Sequence, residues 1–200
     1  MTARSASAQR HTSETKIDVT LNLDGTGVVD VDTGIGFFDH MLTAFAMHGR
    51  FDLTVRCQGD LHIDQHHSVE DTGIVLGKAL AEAVGDKRGI YRYGHAYVPM
   101  DETLVRAVLD LSGRTLAVVH IDWKPALGPE GMDYSLVSEF FWAVARAANM
   151  TIHLDSLRGI NNHHLCEAAF KAFARALDSA TRKDPKLGDI LPSTKGAFDG

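Results

Sequence analysis

The chain writes the same ligand-bearing pattern twice. "IDQHHSVEDTG" runs from Ile63 to Gly73 and "INNHHLCEAAF" from Ile160 to Phe170, so His66 and its counterpart His163 stand 97 residues apart. On a helix that turns about 100° per residue, His66, His67 and Glu70 leave the axis at about 0°, 100° and 40°, with the glutamate between the two imidazoles. His163, His164 and Glu167 repeat that arrangement, and a helix-like run follows each motif. Superposing the two motifs also aligns Lys78 with Arg175, Ala79 with Ala176 and Leu80 with Leu177. A match that continues down the helix predicts an internal duplication.

The segments around the motifs come in a repeating order. "TKIDVTLNLDGTGVVDVD", Thr15 to Asp32, alternates apolar and polar residues around "DGTG" and predicts a β-hairpin. "GFFDHMLTAFAMHG" has helical spacing and stops at Gly49, strand-like "FDLTVRCQG" follows, and then comes the first HHxxE helix. From Tyr91 the chain restarts, with strand-like runs on both sides of "PMDE", a Gly/Pro loop "KPALGPEGMD", the amphipathic run "SLVSEFFWAVARAAN", the strand "MTIHLDSL" and the second HHxxE helix. The predicted fold class is therefore α+β and internally duplicated. Each half, 12–90 and 91–190, is a small, mainly antiparallel sheet covered by helices, flanked by a disordered arm over 1–11 and a tail over 191–200.

Composition excludes several classes. Of 200 residues, 44% are apolar and 23% charged, which is globular usage with enough apolar surface for a core. A formal charge of −6 without a Lys/Arg block argues against nucleic acid, and no apolar run is long enough to cross a bilayer. Only Cys57 and Cys166 are present, so neither a disulfide framework nor a zinc ribbon is indicated, and a cytoplasmic location is expected.

Imidazole nitrogens with carboxylate oxygens form a donor set suited to divalent Mn, Fe, Co, Ni or Zn. Four histidines and two glutamates exceed the needs of one four-coordinate zinc, so two metals are the simpler allocation. If each ion takes three histidines and one glutamate, two more imidazoles are required. His40, on the helix after "GIGFFD", and His153, in the strand that feeds the second motif, are the candidates. His62 and His95 remain outside the set, and His48, eight residues after His40, reaches either a substrate or the helix end.

"GIGFFDHML", "DQHHSVEDTG", "PMDETL", "LDLSGR", "NNHHLCEAAFKAFARAL" and "LPSTKG", in this order from about residue 10 to 196, resemble the imidazoleglycerol-phosphate dehydratase family of histidine biosynthesis. The resemblance implies a duplicated fold, a homo-oligomer of 24 subunits that share active sites, and two Mn2+ ions per site. It makes His40, His66, His67, Glu70, His153, His163, His164 and Glu167 the metal ligands and Glu14 the acid/base group. It also places Arg92, Arg114, Lys171, Ser193 and Lys195 at the substrate phosphate, and His48 is a further candidate for contact with the substrate. The implied reaction removes water from imidazole glycerol phosphate to give imidazole acetol phosphate. An imidazolate held between two cations would push out the C3 hydroxyl to a diazafulvene-like intermediate, and Glu14 would carry protons. Two other classes share parts of the pattern: a binuclear metallohydrolase acting on a phosphate ester, and a non-enzymatic metal-storage bundle of the ferritin kind.

Overall fold

The computed structural model describes residues 4–125 and 132–198. Each half has the order βββαβα. The first comprises β1 (Ser5–His11), β2 (Thr15–Asn22), β3 (Val29–Asp32), α1 (Gly36–Gly49), β4 (Asp52–Gly59) and α2 (His66–Val84). The second comprises β5 (Tyr93–Met100), β6 (Thr103–Asp110), β7 (Leu116–His120), α3 (Leu136–Ala148), β8 (Thr151–Arg158) and α4 (Asn162–Thr181). The strand orders match as well, β1-β2-β4-β3 and β5-β6-β8-β7, with two antiparallel pairings and one parallel pairing in each sheet. Eight strands in two sheets leave no room for a metal-storage bundle of four long helices.

Two expectations are corrected. Residues 5–11 of the expected disordered arm are an edge strand, whose Ala6, Ala8 and Arg10 pair with the buried Leu21, Val19 and Ile17 of β2 and pack over α2. Its Ser/Ala/Arg composition has little β-propensity, so the strand is made by the partner it pairs with. Likewise "DGTG" is not a hairpin. β4 lies between β2 and β3, antiparallel to the first and parallel to the second. The loop is held open over the end of β4 by Asp52, which accepts hydrogen bonds from the Thr26 N–H (2.8 Å), the Val28 N–H (3.0 Å) and the Asn22 amide (3.0 Å). Positions 126–131 of the Gly/Pro loop lie outside the described residues, as do the ends of both expected terminal segments.

Strand alternation explains the layering. In β8, Ile152 and Leu154 are fully buried on the helix side, so His153 between them faces outward. α2 covers the first sheet and α4 the second, while the shorter helices cross over: α1 packs on α4, and α3 packs on α2. One core therefore spans both halves, with Phe45 stacked on Phe173 and Phe140 on Phe170. Each fully buried phenylalanine contributes roughly 1.5–3 kcal/mol through removal of its ring from water. No helix among the described residues is long and apolar enough to cross a membrane.

Candidate active site

The crossing of α1 onto α4 carries a first-half histidine to the second motif. Asp39 anchors the start of α1, accepting hydrogen bonds from the N–H (2.8 Å) and hydroxyl (2.6 Å) of Thr33, and the next residue is His40. On α4, Asn161 caps the helix by accepting the His163 N–H (2.9 Å), which sets where the second motif begins. His40 Nε2 and His163 Nε2 then lie 3.1 and 3.0 Å from the same atom, Glu167 Oε2. These three residues offer ligand atoms all within 4.8 Å of one another. The spacing suits one divalent cation with metal–ligand distances of about 2.0–2.2 Å, and the nitrogen and oxygen donors suit the same class of ion.

Glu167 is mostly buried, and its remaining oxygen Oε1 is 2.5 Å from Lys171 Nζ. Burial alone would raise its pKa, but hydrogen bonds from Lys171, His163 and His40 together outweigh that effect and hold the carboxyl at about 2. The carboxylate is thus ionised and ready for a cation. Lys171, expected at the substrate phosphate, instead contacts this carboxylate. His48, on the same side, has its pKa lowered by desolvation and by the nearby Lys171 and Arg175 cations.

The first motif is arranged differently. His66 Nε2 lies 3.3 Å from Glu70 Oε2, one helical turn on, but among the described residues no third ligand joins that pair to match His40. In both motifs the second histidine turns away from its motif glutamate. His67 Nδ1 faces Asp60 (3.0 and 3.2 Å) and His164 Nδ1 faces Glu102 (2.8 Å). The bond to Asp60 raises the His67 pKa, and the bond to His164, reinforced by the Ile160 and Asn161 backbone N–H groups, lowers Glu102 to about 2. Glu14, expected as the acid/base group, stands at the start of β2 with Oε1 4.0 Å from His67 Nε2. It lines an open pocket of about 270 Å³ together with Asp60 and His62. His153, outward-facing on β8 beside Val108 and Val118, is not gathered with any other ligand candidate among the described residues.

A second pocket, about 110 Å³, lies at the edge of the second half and is lined by Arg92, Arg114, Ser112, Ser193, Lys195 and Phe198. Asp110 joins its two arginines, 2.7 Å from Arg92 Nε and 3.4 Å from Arg114 Nη2. Arg92 gives Nε and Nη2 to Asp110, donates from Nη1 to the Pro192 carbonyl (2.8 Å) and lies over the Tyr93 and Phe198 rings, so it ties the tail to β6. Its side chain is 13% exposed against 60% for Arg114, which makes Arg114 the open guanidinium fork. Four of the expected phosphate residues therefore converge. Neither His48 nor Lys171 lines this pocket.

Sequence reasoning did not single out Asp60 or Asp110. Asp60 lies seven residues before His67 and Asp110 four before Arg114, but neither pair lies on one helix, so the shared face that such spacings give within a helix does not apply.

Residues 33–177 match a model of the family described as imidazoleglycerol-phosphate dehydratase. The imidazoleglycerol-phosphate dehydratase of Acidovorax sp. (strain JS42) is 55% identical over 196 residues, covering 98% of this chain and 92% of that protein. That of Methylobacillus flagellatus is 54% identical over 199 residues, covering 99% and 100%. Among solved structures, imidazoleglycerol-phosphate dehydratase from Staphylococcus aureus superposes with a TM-score of 0.80 at 40% identity, over 89% of this chain and 99% of that one. The enzyme from Pyrococcus furiosus gives 0.81 at 39% identity, over 94% and 99%. A match of this extent in sequence and in fold places the chain in the imidazoleglycerol-phosphate dehydratase family, a family of hydro-lyase enzymes.

Proposed function

We propose that the chain dehydrates imidazole glycerol phosphate to imidazole acetol phosphate, a step of histidine biosynthesis, using two divalent metals, Mn2+ by preference, at each active site. The observation that carries this reading is the convergence of His40, His163 and Glu167 on one point in a chain of this family. His66, His67, Glu70, His153 and His164 are assigned as the other ligands. Divalent cations held by these ligands would supply positive charge that stabilises electron density on the substrate's imidazole and so favours departure of the C3 hydroxyl. The chain's own residues do the rest. Glu14, half-exposed and beside His67, moves the proton at C2 while the hydroxyl leaves as water. Arg114, Lys195 and Ser193 bind the phosphate through a charged fork, a point charge and a hydroxyl, and Arg92 holds the tail that carries two of them.

The site is shared between copies of the chain, in an assembly of 24. Among the described residues of one chain, no third ligand joins His66 and Glu70, His153 faces outward, and His48 with Lys171 stands apart from the phosphate pocket. A neighbouring copy that supplied the missing members would complete all three. The two cysteines, both buried and unpaired, agree with a cytoplasmic protein.

The test is a product assay on imidazole glycerol phosphate with Mn2+-loaded protein, followed by chelation. Formation of imidazole acetol phosphate that stops on chelation is expected. Release of inorganic phosphate without a ketone product would replace this reading with a metallohydrolase.

A further inference from the structure

Each second histidine of the two motifs has one committed ring nitrogen and one open one. His67 Nδ1 is 3.0 and 3.2 Å from the Asp60 oxygens, and its Nε2 is no nearer than 4.0 Å to Glu14. His164 Nδ1 is 2.8 Å from Glu102, and its Nε2 is 3.8 Å from Asp101. An ionised carboxylate can only accept, so Nδ1 carries a proton, and in the neutral ring Nε2 keeps its lone pair.

The two carboxylates do not occupy equivalent places in the repeat. Asp60 follows β4, whereas Glu102 precedes β6. The topological counterpart of Glu102 is Glu14, which precedes β2, and Glu14 makes no contact with Nδ1. Two unrelated positions thus reach the same ring atom, and Glu14 is left free while its counterpart is spent.

We propose that Asp60 and Glu102 are positioning residues that fix His67 and His164 as Nδ1–H tautomers with Nε2 presented to a divalent cation, an inference that rests on the metal reading above. Glu102 is tied for this task. Its Oε1 accepts the Ile160 N–H (3.2 Å), the Asn161 N–H (3.0 Å) and the Thr103 hydroxyl (3.0 Å), which leaves Oε2 for His164 alone. Asp60 is freer, offering both oxygens to His67. This division also separates the two related glutamates: Glu102 orients a ring, and Glu14 remains available to the substrate.

The difference makes the two conservative variants unequal. In Glu102→Gln the amide oxygen must stay with the two backbone N–H groups, so the NH2 faces His164 and donates to Nδ1. The ring proton then moves to Nε2 and blocks ligation. In Asp60→Asn the amide can present its oxygen to His67, and the tautomer survives. The experiment titrates Mn2+ into the metal-free full chain and each variant in competition with a chelator, with thermal unfolding of the metal-free proteins alongside. Glu102→Gln should weaken one class of Mn2+ site by about 10- to 100-fold. Asp60→Asn should weaken the other by about fivefold, the difference between a charged and a neutral acceptor, and metal-free unfolding should be little changed in both. Glu102→Ala and Asp60→Ala should each weaken only its own class. Unchanged Mn2+ affinity in Glu102→Gln, or equal weakening of both classes with a fall in unfolding temperature, overturns the proposal. His67→Ala and His164→Ala serve as controls. If they lose Mn2+ while the carboxylate variants do not, only the positioning role fails. If they too bind normally, the metal reading fails with it.

Discussion

The two halves share topology, strand order and the HHxxE motif, yet among the described residues only the second motif gathers a third ligand, His40 from the first half. The cause lies in what each short helix brings across. Counted from the helix starts, the fifth residue of α1 is His40, which reaches Glu167, and the fifth of α3 is Phe140, which packs edge-on against Phe38 in the core. The packing surfaces beneath differ too. α2 presents Gly73 and Gly77 to α3, and a Cβ at either would lie 2.7 Å from the Phe140 or Val144 carbonyl oxygen. Their counterparts on α4, 97 residues on, are Phe170 and Ala174. Backbone-close contact in one pair and aromatic stacking in the other let a single duplicated unit build one ligand nest and one open half-site.

Variants can break or sharpen this comparison, and the largest effect is expected at the open half-site. Glu14→Gln keeps the side chain's size but cannot cycle a proton, so turnover should fall about 100- to 10,000-fold with metal content intact. Steady-state kinetics beside elemental analysis decides it; near-native turnover would move the proton carrier to Asp101 or His48. Next come the ligands. His163→Ala and His66→Ala should each lower bound Mn2+ from about two to about one per chain, because an ion that loses one of few protein donors is held weakly. If only His163→Ala does so, the first half is not a metal site. Arg114→Ala should raise KM by about 10- to 100-fold, the loss of a charged hydrogen bond, and leave metal content unchanged. An unaltered KM would remove the open fork from the phosphate pocket. The smallest effect tests the helix packing itself. Gly77→Ala should cost about 1–3 kcal/mol through overpacking against Ala147 and Val144. At the matching position, Ala174→Gly should cost about 1 kcal/mol through helix propensity. Denaturant unfolding that ranks them the other way would show that α3 has room to move.

Local chemistry alone determined much of this protein. The HHxxE repeat, its helical phase and the order of apolar segments specify two α+β halves with a ligand-bearing helix start in each, because the helix period and the strand alternation are properties of neighbouring residues. The motif set likewise carried the family, and Arg92, Arg114, Ser193 and Lys195 do share one pocket. Tertiary structure decided what depends on partners distant in the chain. Ser5–His11 is a strand only because β2 offers an edge, and "DGTG" is a crossover rather than a hairpin only because β4 inserts between β2 and β3. His40 reaches Glu167 only because α1 crosses to the other half's long helix. The orienting roles of Asp60 and Glu102 come from tertiary structure too: Asp60 meets His67 across a turn and Glu102 meets His164 from 62 residues away, and no periodicity in the sequence records either contact.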